Sequence, residues 1–271
     1  RPLGPARLGL RGAPARTGAR GRLVFAARPP ARGAAMTPSR AMIMAAGKGT
    51  RMGALTRTVP KPMLPVAGRP LIDHALDRAA EGGAQEAVVN LHHLGAQIRA
   101  HLSGREAPRV SFSDESEELL DTGGGVRRAR PLLGEAPVYV LNSDAIWTGA
   151  APLPALAAAW DETRMDALLH FVRREDAVAY TRAGDFFLED LEGGLGRPVR
   201  RGEAPLAPYI YASAQIVRPA AFEGFPPGPF STNLVWDRLL AAGRLFAVVH
   251  EGAWVDVGTP EGLAAAEALL A

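Results

Sequence analysis

The sequence contains no cysteine. This absence excludes disulfide bonds, thiolate metal sites and a cysteine nucleophile. The sequence also lacks a run of about 18 consecutive apolar residues, which a membrane-spanning helix requires. With 47% hydrophobic and 22% charged residues, the 271-residue chain has the composition of an ordinary globular protein. We therefore expect a cytoplasmic protein that does not bind membranes.

Acidic residues are missing from the first 35 positions, which hold eight arginines. Subtracting those eight charges from the formal net charge of +3 leaves −5 for residues 36–271. A folded nucleic-acid-binding surface is basic, so we expect no nucleic-acid partner; the alternative is binding through the Arg-rich segment itself. The Arg, Gly, Pro and Ala content of residues 1–35 predicts a disordered tail. We interpret Met36 as a natural start, which would leave the tail outside the native protein.

Lysine is scarce, because arginine fills 29 of the 31 Lys and Arg positions. The two lysines, Lys48 and Lys61, stand in one glycine-rich stretch. Lysine is a compact point charge, whereas arginine is a planar fork. The placement indicates a site that needs point charges against an anion such as phosphate; biased codon use is the alternative explanation.

From Met36 onward, short apolar runs alternate with helical patterns. The runs predict strands at 41–45, 86–91, 109–113, 138–141, 167–172, 209–217 and 246–250, and the periodic segments predict helices at 71–80, 94–102 and 261–270. This alternation is typical of βαβ units in an α/β protein with a mostly parallel sheet. Such sheets bind ligands at the carboxyl ends of their strands. We expect residues 36–271 to form a single domain.

The first predicted strand continues directly into the sequence GKGTR at residues 47–51. Glycines let backbone N–H groups approach phosphate oxygens without a Cβ in the way. Lys48 and Arg51 add positive charge, and arginine can bind phosphate through two parallel hydrogen bonds. The spacing matches neither the P-loop nor the Rossmann glycine pattern.

Residues 45–72, AAGKGTRMGALTRTVPKPMLPVAGRPLI, closely resemble the signature of the sugar-phosphate nucleotidyltransferases. Three further segments extend this resemblance over residues 36–271: DTGGG at 121–125, NSD at 142–144 and WVDVGTP at 254–260. Together they are most similar to the short bacterial N-acetylmuramate 1-phosphate uridylyltransferases of cell-wall recycling, with mannose-1-phosphate guanylyltransferases as near neighbours. Ser143 departs from the family pattern, which has glycine at that position. The resemblance implies a Rossmann-like three-layer sandwich with a mixed, mostly parallel central sheet.

The resemblance also implies roles for particular residues. Arg51 and Lys61 would be catalytic, with Arg51 on the outer phosphates of the nucleotide and Lys61 on the α-phosphate. The implied nucleotide-binding residues are Ala46, Gly47, Lys48, Gly49, Thr50, Thr122, Gly123 and Gly124. The implied sugar-binding residues are Asn90, Asn142, Asp185 and Ser213. For Asp185 and Ser213, a turn aspartate and an ordinary strand serine are equally good explanations.

Asp144 and Asp256 each follow an apolar strand, so the two carboxylates can converge at one edge of the sheet. Mg²⁺ prefers a few carboxylates together with phosphate oxygens and water, and the pair is therefore a predicted Mg²⁺ site. Either aspartate alone would more often be a helix cap or turn residue. The acidic residues Glu115, Glu117 and Glu118 are predicted to form a solvated loop.

The resemblance implies transfer of a nucleotidyl group from a nucleoside triphosphate to a sugar 1-phosphate, with release of pyrophosphate. UTP and N-acetylmuramate 1-phosphate are the expected substrates. Guanylyl, thymidylyl or uridylyl transfer to a hexose 1-phosphate is the alternative within the enzyme class. A non-catalytic nucleotide-sugar sensor is the alternative outside it, and the presence of Arg51, Lys61, Asp144 and Asp256 disfavours it. We expect a monomer or a dimer.

Overall fold

The computed structural model describes residues 37–271, and the expected tail lies outside the described residues. The strands are β1 Arg40–Met44, β2 Pro65–Val66, β3 Arg69–Pro70, β4 Glu86–Leu91, β5 Arg109–Asp114, β6 Val138–Asn142, β7 Ala145–Trp147, β8 Ala167–Arg173, β9 Phe186–Glu192, β10 Leu195–Arg200, β11 Tyr209–Val217, β12 Leu245–Val249 and β13 Trp254–Asp256. The α-helices are α1 Leu71–Glu81, α2 Gly95–Leu102, α3 Asp121–Leu133, α4 Pro152–Ala159, α5 Thr232–Ala241 and α6 Pro260–Leu270. Short 3₁₀ helices cover Thr50–Thr56, Lys61–Met63, Arg174–Asp176 and Pro219–Phe222.

The main sheet within residues 37–271 has nine strands in the order β5-β4-β1-β6-β11-β8-β12-β10-β9. Seven of these strands run in one direction, while β10 and β11 run in the opposite direction. The sheet is therefore mixed and mostly parallel, as the resemblance implied. The crossover connections from β1 to β4 and from β5 to β6 carry helices α1 and α3, as parallel pairing requires.

Helices cover both faces of this sheet, because side chains alternate along each strand. On β1, Ala41 and Ile43 pack in one cluster with residues of α1, α2 and α4, whereas Met42 packs on the opposite face with residues of α3 and α5. The three-layer sandwich is confirmed. A third apolar cluster contains Met52, Val255 and Ala266 and supports the loop after β1 together with β13 and α6. Within residues 37–271, none of the helices combines the length and apolar character that crossing a membrane needs.

Helix α3 occupies the DTGGG segment, for which a short turn is the simpler expectation because glycine weakens helices. The helix needs these glycines for close packing. A Cβ at Gly123 would lie 2.4 Å from the ring of Phe230, and one at Gly124 would lie 2.8 Å from the carbonyl oxygen of Gly228. Close contact with the 228–230 segment therefore explains a glycine-rich sequence inside a helix of 13 residues.

Candidate active site

Two neighbouring cavities open at the carboxyl ends of β1 and β6. The small cavity has a volume of about 210 Å³ and is lined mainly by the loop after β1 and by Lys61. The large cavity has a volume of about 700 Å³ and extends over β11 and the start of α5. Met44, Arg51 and Asp144 line both cavities. These three residues therefore mark the junction at which ligands in the two cavities would meet.

The loop that follows β1 contributes much of the wall of the small cavity. Gly47, Gly49 and Thr50 line it. Gly49 adopts the left-handed conformation (φ 64°), and its carbonyl oxygen accepts hydrogen bonds from the Thr56 hydroxyl and the Met52 amide, both at 2.9 Å. A Cβ at Gly47 would meet no atom within 4 Å. The loop is thus fixed on one side and open toward the cavity on the other.

At the junction of the cavities, the ammonium group of Lys61 donates a hydrogen bond to the carboxylate of Asp144. Both side chains are largely buried, with 12% and 19% of their surface exposed. The second carboxylate oxygen of Asp144, Oδ1, is buried and has no hydrogen-bond partner among residues 37–271. One oxygen of Asp144 is therefore held by lysine, and the other is available for an electropositive group.

Asp256 lies beside Asp144 because their strands are paired. β13 runs antiparallel to β7, and the amide of Val257 donates a hydrogen bond to the carbonyl of Asp144 at 2.8 Å. Burial raises the pKa of Asp256, and the negative charge of Asp144 raises this pKa further; Lys61, Arg51 and Arg182 act in the opposite direction. The two carboxylates thus repel each other across a site in which a cation would be stabilised.

The large cavity contains three of the four predicted sugar-binding residues. The amide of Asn142 donates to the hydroxyl of Ser213 at 3.3 Å, and Asp185 accepts a hydrogen bond from the backbone amide of Tyr211 at 3.2 Å. Ser213 has a positive φ of 63° at the point where the register between β11 and β8 shifts. The structure therefore brings Asn142, Asp185 and Ser213 together around one polar space.

The fourth predicted sugar residue, Asn90, lies outside this space. It is 1% exposed and lines neither cavity. Its oxygen accepts from the Ala45 amide at 2.7 Å, and its nitrogen donates to Glu115 at 2.8 Å. Glu115 is itself 1% exposed, so its assignment to a solvated loop is wrong; Glu117 and Glu118 are exposed as expected.

Some of the predicted nucleotide-binding residues line a cavity, and others do not. Thr122 lines the large cavity, and its hydroxyl accepts from the Thr232 amide at 2.9 Å. The amides of Gly123 and Gly124 both donate to the carbonyl of Phe230, so these glycines join α3 to the segment before α5. Ala46 is buried and Lys48 exposed, and neither lines the small or the large cavity.

Sequence reasoning missed several residues of the large cavity, including Arg182, Arg200, Arg201 and Tyr211, whereas Trp236 was expected in the core or a pocket wall and does line the cavity. Tyr211 and Trp236 form an edge-to-face pair with ring centroids 4.7 Å apart, and Trp236 donates to Gln215 at 2.9 Å. Arg200 lies over the rings of Phe186 and Trp236. The pair of adjacent arginines at the end of β10, Arg200 and Arg201, was the sequence signal that could have indicated a site for an anionic ligand.

Comparison with known proteins identifies the family of this chain. The family model for nucleotidyl transferases matches residues 40–181, which is more than half of the chain. An N-acetylmuramate alpha-1-phosphate uridylyltransferase of Caulobacter vibrioides is 44% identical over 86% of this chain and 98% of that protein. A protein of the same name from Neisseria meningitidis is 35% identical over 85% of this chain and 97% of that protein.

Among solved structures, a UDP-glucose pyrophosphorylase complexed with UDP-glucose shares the fold. Its TM-score is 0.72 at 19% identity, with 84% of this chain and 97% of that chain covered. Taken with the family match and the two relatives, this shows that the chain belongs to the nucleotidyl transferase family and is a nucleotidyltransferase.

Proposed function

We propose that the enzyme transfers the uridylyl group of UTP to N-acetylmuramate 1-phosphate, forming UDP-N-acetylmuramate and pyrophosphate. The observation that carries the proposal is the position of Lys61 and Asp144 where the two cavities meet. The names of the two relatives support the choice of base and sugar. Because UTP is a cytoplasmic metabolite, we place the reaction in the cytoplasm. We further propose that the enzyme acts as a monomer or dimer and has no nucleic-acid or membrane partner.

The small cavity suits the triphosphate. Its wall of glycine backbone lets N–H groups approach phosphate oxygens, and Arg51 and Lys61 supply positive charge. Arg51 lies beside the second carboxylate, because a Cβ at Gly258 would be 3.0 Å from Arg51 Nη2 and 3.1 Å from Asp256 Oδ2. We assign Arg51 to the outer phosphates and Lys61 to the α-phosphate, on which the reaction takes place.

The large cavity suits the sugar 1-phosphate. Asn142, Asp185 and Ser213 offer hydrogen-bonding groups that match sugar hydroxyls, and Thr122, which was predicted to contact the nucleotide, lines the same cavity at the start of α3. A sugar bound in this cavity with its phosphate toward Asp144 would present a phosphate oxygen to the α-phosphorus of the nucleotide. The arrangement therefore aligns the two reactants, which is the main catalytic requirement of phosphoryl-group transfer.

Asp144 and Asp256 fit a Mg²⁺ ion. Oδ1 of Asp144 is buried without a partner among residues 37–271, and the neighbouring carboxylates repel each other. The described part of the chain holds no cluster of three or more metal-ligating side chains, and this agrees with Mg²⁺, which takes one or two carboxylates plus phosphate oxygens and water. When bound, the ion would neutralise phosphate charge and bring the two anionic substrates together.

The protein needs no nucleophile of its own, because the phosphate of the sugar is already ionised. Its oxygen attacks the α-phosphorus, the bond between the α- and β-phosphates breaks, and pyrophosphate leaves. Lys61 stabilises the charge that develops on the α-phosphate, and Asp144 holds the lysine in place until the substrate arrives. Arg51 and the amides of the Gly47–Thr50 loop bind the departing pyrophosphate.

A pyrophosphate-release assay tests the proposal. UTP, GTP, dTTP and CTP are each combined with the 1-phosphates of N-acetylmuramate, N-acetylglucosamine, glucose and mannose, with Mg²⁺ and with excess EDTA. The expected result is release with UTP and N-acetylmuramate 1-phosphate, abolished by EDTA. Release with a different pair would overturn the substrate assignment. If no pair gave release in protein that still bound nucleotide, a sensor function would replace the catalytic one.

A further inference from the structure

The arginines around the large cavity differ in their charge partners. Arg200 forms an ion pair with Asp237 at 2.8 Å, and Arg182 approaches Asp256 at 3.9 Å. Arg51 lies beside Asp256 and is assigned to the phosphates of the nucleotide. Arg201 also lines the cavity, yet within residues 37–271 it forms no ion pair with a carboxylate. Among the arginines of the large cavity, Arg201 is therefore the one whose positive charge is not paired with a carboxylate of residues 37–271.

Arg201 is held firmly in this position by backbone carbonyls. Its Nε donates to the carbonyl of Gly184 at 3.1 Å, and its Nη1 donates to the carbonyl of Ala204 at 2.7 Å. The segments that carry these carbonyls cross closely, because the Ala207 amide donates to Ala183 at 2.7 Å. Only glycine fits at the crossing, since Gly184 has a φ of +84° and a Cβ there would be 2.2 Å from the carbonyl oxygen of Ala207. The guanidinium is thus preorganised, with Nη2 free of protein partners in the described part of the chain.

The same contacts place Arg201 next to the sugar-binding wall. Its backbone amide donates to the carbonyl of Asp185 at 2.9 Å, and the carboxylate of Asp185 is fixed by the amide of Tyr211. A ligand group that reaches past Asp185 would therefore meet the guanidinium of Arg201. Carboxylates are well matched to arginine, since they accept charge-assisted and often paired hydrogen bonds from it.

N-acetylmuramate differs from N-acetylglucosamine by a lactyl ether that carries a carboxylate. We propose that Arg201 binds this carboxylate and thereby selects the acidic sugar over neutral hexosamines, an inference that rests on the proposed function. A neutral sugar would leave the guanidinium of Arg201 without a carboxylate partner. A site built around a charged or hydrogen-bonding group rejects ligands that lack the matching group more strongly than an apolar pocket rejects a missing methylene.

The rival explanation is that Arg201 only clamps the loop between β10 and β11. Substrates that differ in one charge separate the two roles. The steady-state kcat/KM is measured with UTP and three sugars: N-acetylmuramate 1-phosphate, the methyl ester of its lactyl carboxylate, and N-acetylglucosamine 1-phosphate. Wild type is expected to prefer the free acid to the ester by about 10- to 100-fold, the size of a hydrogen bond to a charged group. In Arg201→Gln this preference should fall close to one, mainly through loss of activity on the acid.

Arg127→Gln is the matched control. Arg127 also holds a loop through backbone carbonyls, those of Phe225 and Pro226, but it lies outside both cavities. It should keep the wild-type preference for the acid, whatever its effect on thermal stability. If Arg201→Gln lowered kcat/KM equally for acid and ester, or changed neither, the carboxylate-binding role would be overturned while the proposed function stood. If wild type did not use N-acetylmuramate 1-phosphate at all, both would fall together.

Discussion

The side-chain amide of Asn90 connects the backbone at the start of the loop after β1 to the buried carboxylate of Glu115. Ala45 donates to the Asn90 oxygen at 2.7 Å, and the Asn90 nitrogen donates to Glu115 Oε1 at 2.8 Å. The other carboxylate oxygen accepts from the amide of Leu120 at 3.1 Å, one residue before α3. A continuous chain of hydrogen bonds therefore joins the loop of the small cavity to the α3 wall of the large cavity.

Glu115→Gln is expected to weaken this connection. The new amide group would turn its NH₂ toward either Asn90 Nδ2 or the Leu120 amide, so that one buried donor would face another donor. Leaving such a group unsatisfied costs about 1–3 kcal/mol. We expect urea denaturation to show that the free energy of unfolding falls by this amount. In the pyrophosphate-release assay, the KM for UTP should rise by a larger factor than kcat falls.

The control for this substitution is Glu117→Gln in the same loop, where the side chain is exposed. It should retain the stability and the KM of wild type. Equal stability of the Glu115 and Glu117 variants would show that the hydrogen-bond chain does not hold the two walls together.

The two lysines provide a second prediction. Lys61 is largely buried and bonded to Asp144, whereas Lys48 is exposed and lines neither cavity. Lys61→Ala is expected to lower kcat by roughly 10³-fold or more, because the charge next to the α-phosphate is lost in the transition state. Lys48→Ala should raise KM for UTP by only a few-fold, the order of an exposed electrostatic contact. Both are measured by pyrophosphate release at saturating sugar 1-phosphate.

Thermal unfolding separates loss of function from loss of structure in this pair. Lys61→Ala is expected to unfold at a lower temperature than wild type, because Asp144 loses the cation that compensates its largely buried charge, so turnover is compared well below both unfolding temperatures. Turnover near the wild-type value in Lys61→Ala would remove the lysine from the mechanism. A larger loss in Lys48→Ala than in Lys61→Ala would reverse their roles.

The glycine-rich loop after β1 and the nearby Lys61 could be predicted from sequence, because their residues are close together in the chain and form a recognisable local pattern. The predicted strands and helices likewise carry their apolar periodicity locally. Glu115 and Arg201 could not be placed in this way. The buried carboxylate of Glu115 accepts a hydrogen bond from Asn90, which lies 25 residues earlier in the chain. The guanidinium of Arg201 is oriented by the carbonyls of Gly184 and Ala204. Such partners are known only once the sheet has assembled.

Helix α3 shows the same limit. The sequence DTGGG favours a turn by local propensity, whereas packing against Phe230, more than 100 residues later, makes glycine the residue that fits. Asn90 stands near the end of β4, but it lines neither cavity and its side chain forms hydrogen bonds to the protein. Strand ends locate a site, and the side-chain partners decide which residues face the ligand.

Gly258 gives a third prediction because of its closeness to two charged groups. A Cβ at this position would lie 3.0 Å from Arg51 Nη2 and 3.1 Å from Asp256 Oδ2. In Gly258→Ala the arginine must move, since its guanidinium is the flexible partner. We expect kcat to fall by about 10-fold or more, as small misplacements of catalytic groups do, with little change in the unfolding temperature.

Gly104→Ala is the control for this change, because a Cβ at Gly104 meets no atom within 4 Å and the residue lies away from both cavities. It should have wild-type turnover. If Gly258→Ala also turned over at the wild-type rate, the position of Arg51 would not matter for catalysis.

A buried histidine pair predicts how stability depends on pH. His170 and His250 lie with ring centroids 4.9 Å apart, and His170 is fully buried with neither ring nitrogen hydrogen-bonded in the described part of the chain. Burial, aided by His250, lowers the pKa of His170 to about 3. Burial also lowers the pKa of His250, with Arg78 acting in the same direction and Asp176 and the carbonyl of Thr148 opposing it.

Because the pKa of an unfolded histidine is near 6.5, the unfolded chain takes up protons between about pH 6.5 and 3 that His170 in the native state does not. The free energy of unfolding should therefore fall as the pH drops through this window, by up to about 1.4 kcal/mol per pH unit for one histidine. His170→Phe keeps a ring of similar shape and removes the titrating group. Urea denaturation at pH 7.5, 6.0 and 5.0 should show a shallower loss of stability in this variant than in wild type. Parallel curves for the two proteins would mean that other groups cause the acid sensitivity, since the substituted phenyl ring cannot bind a proton at any pH.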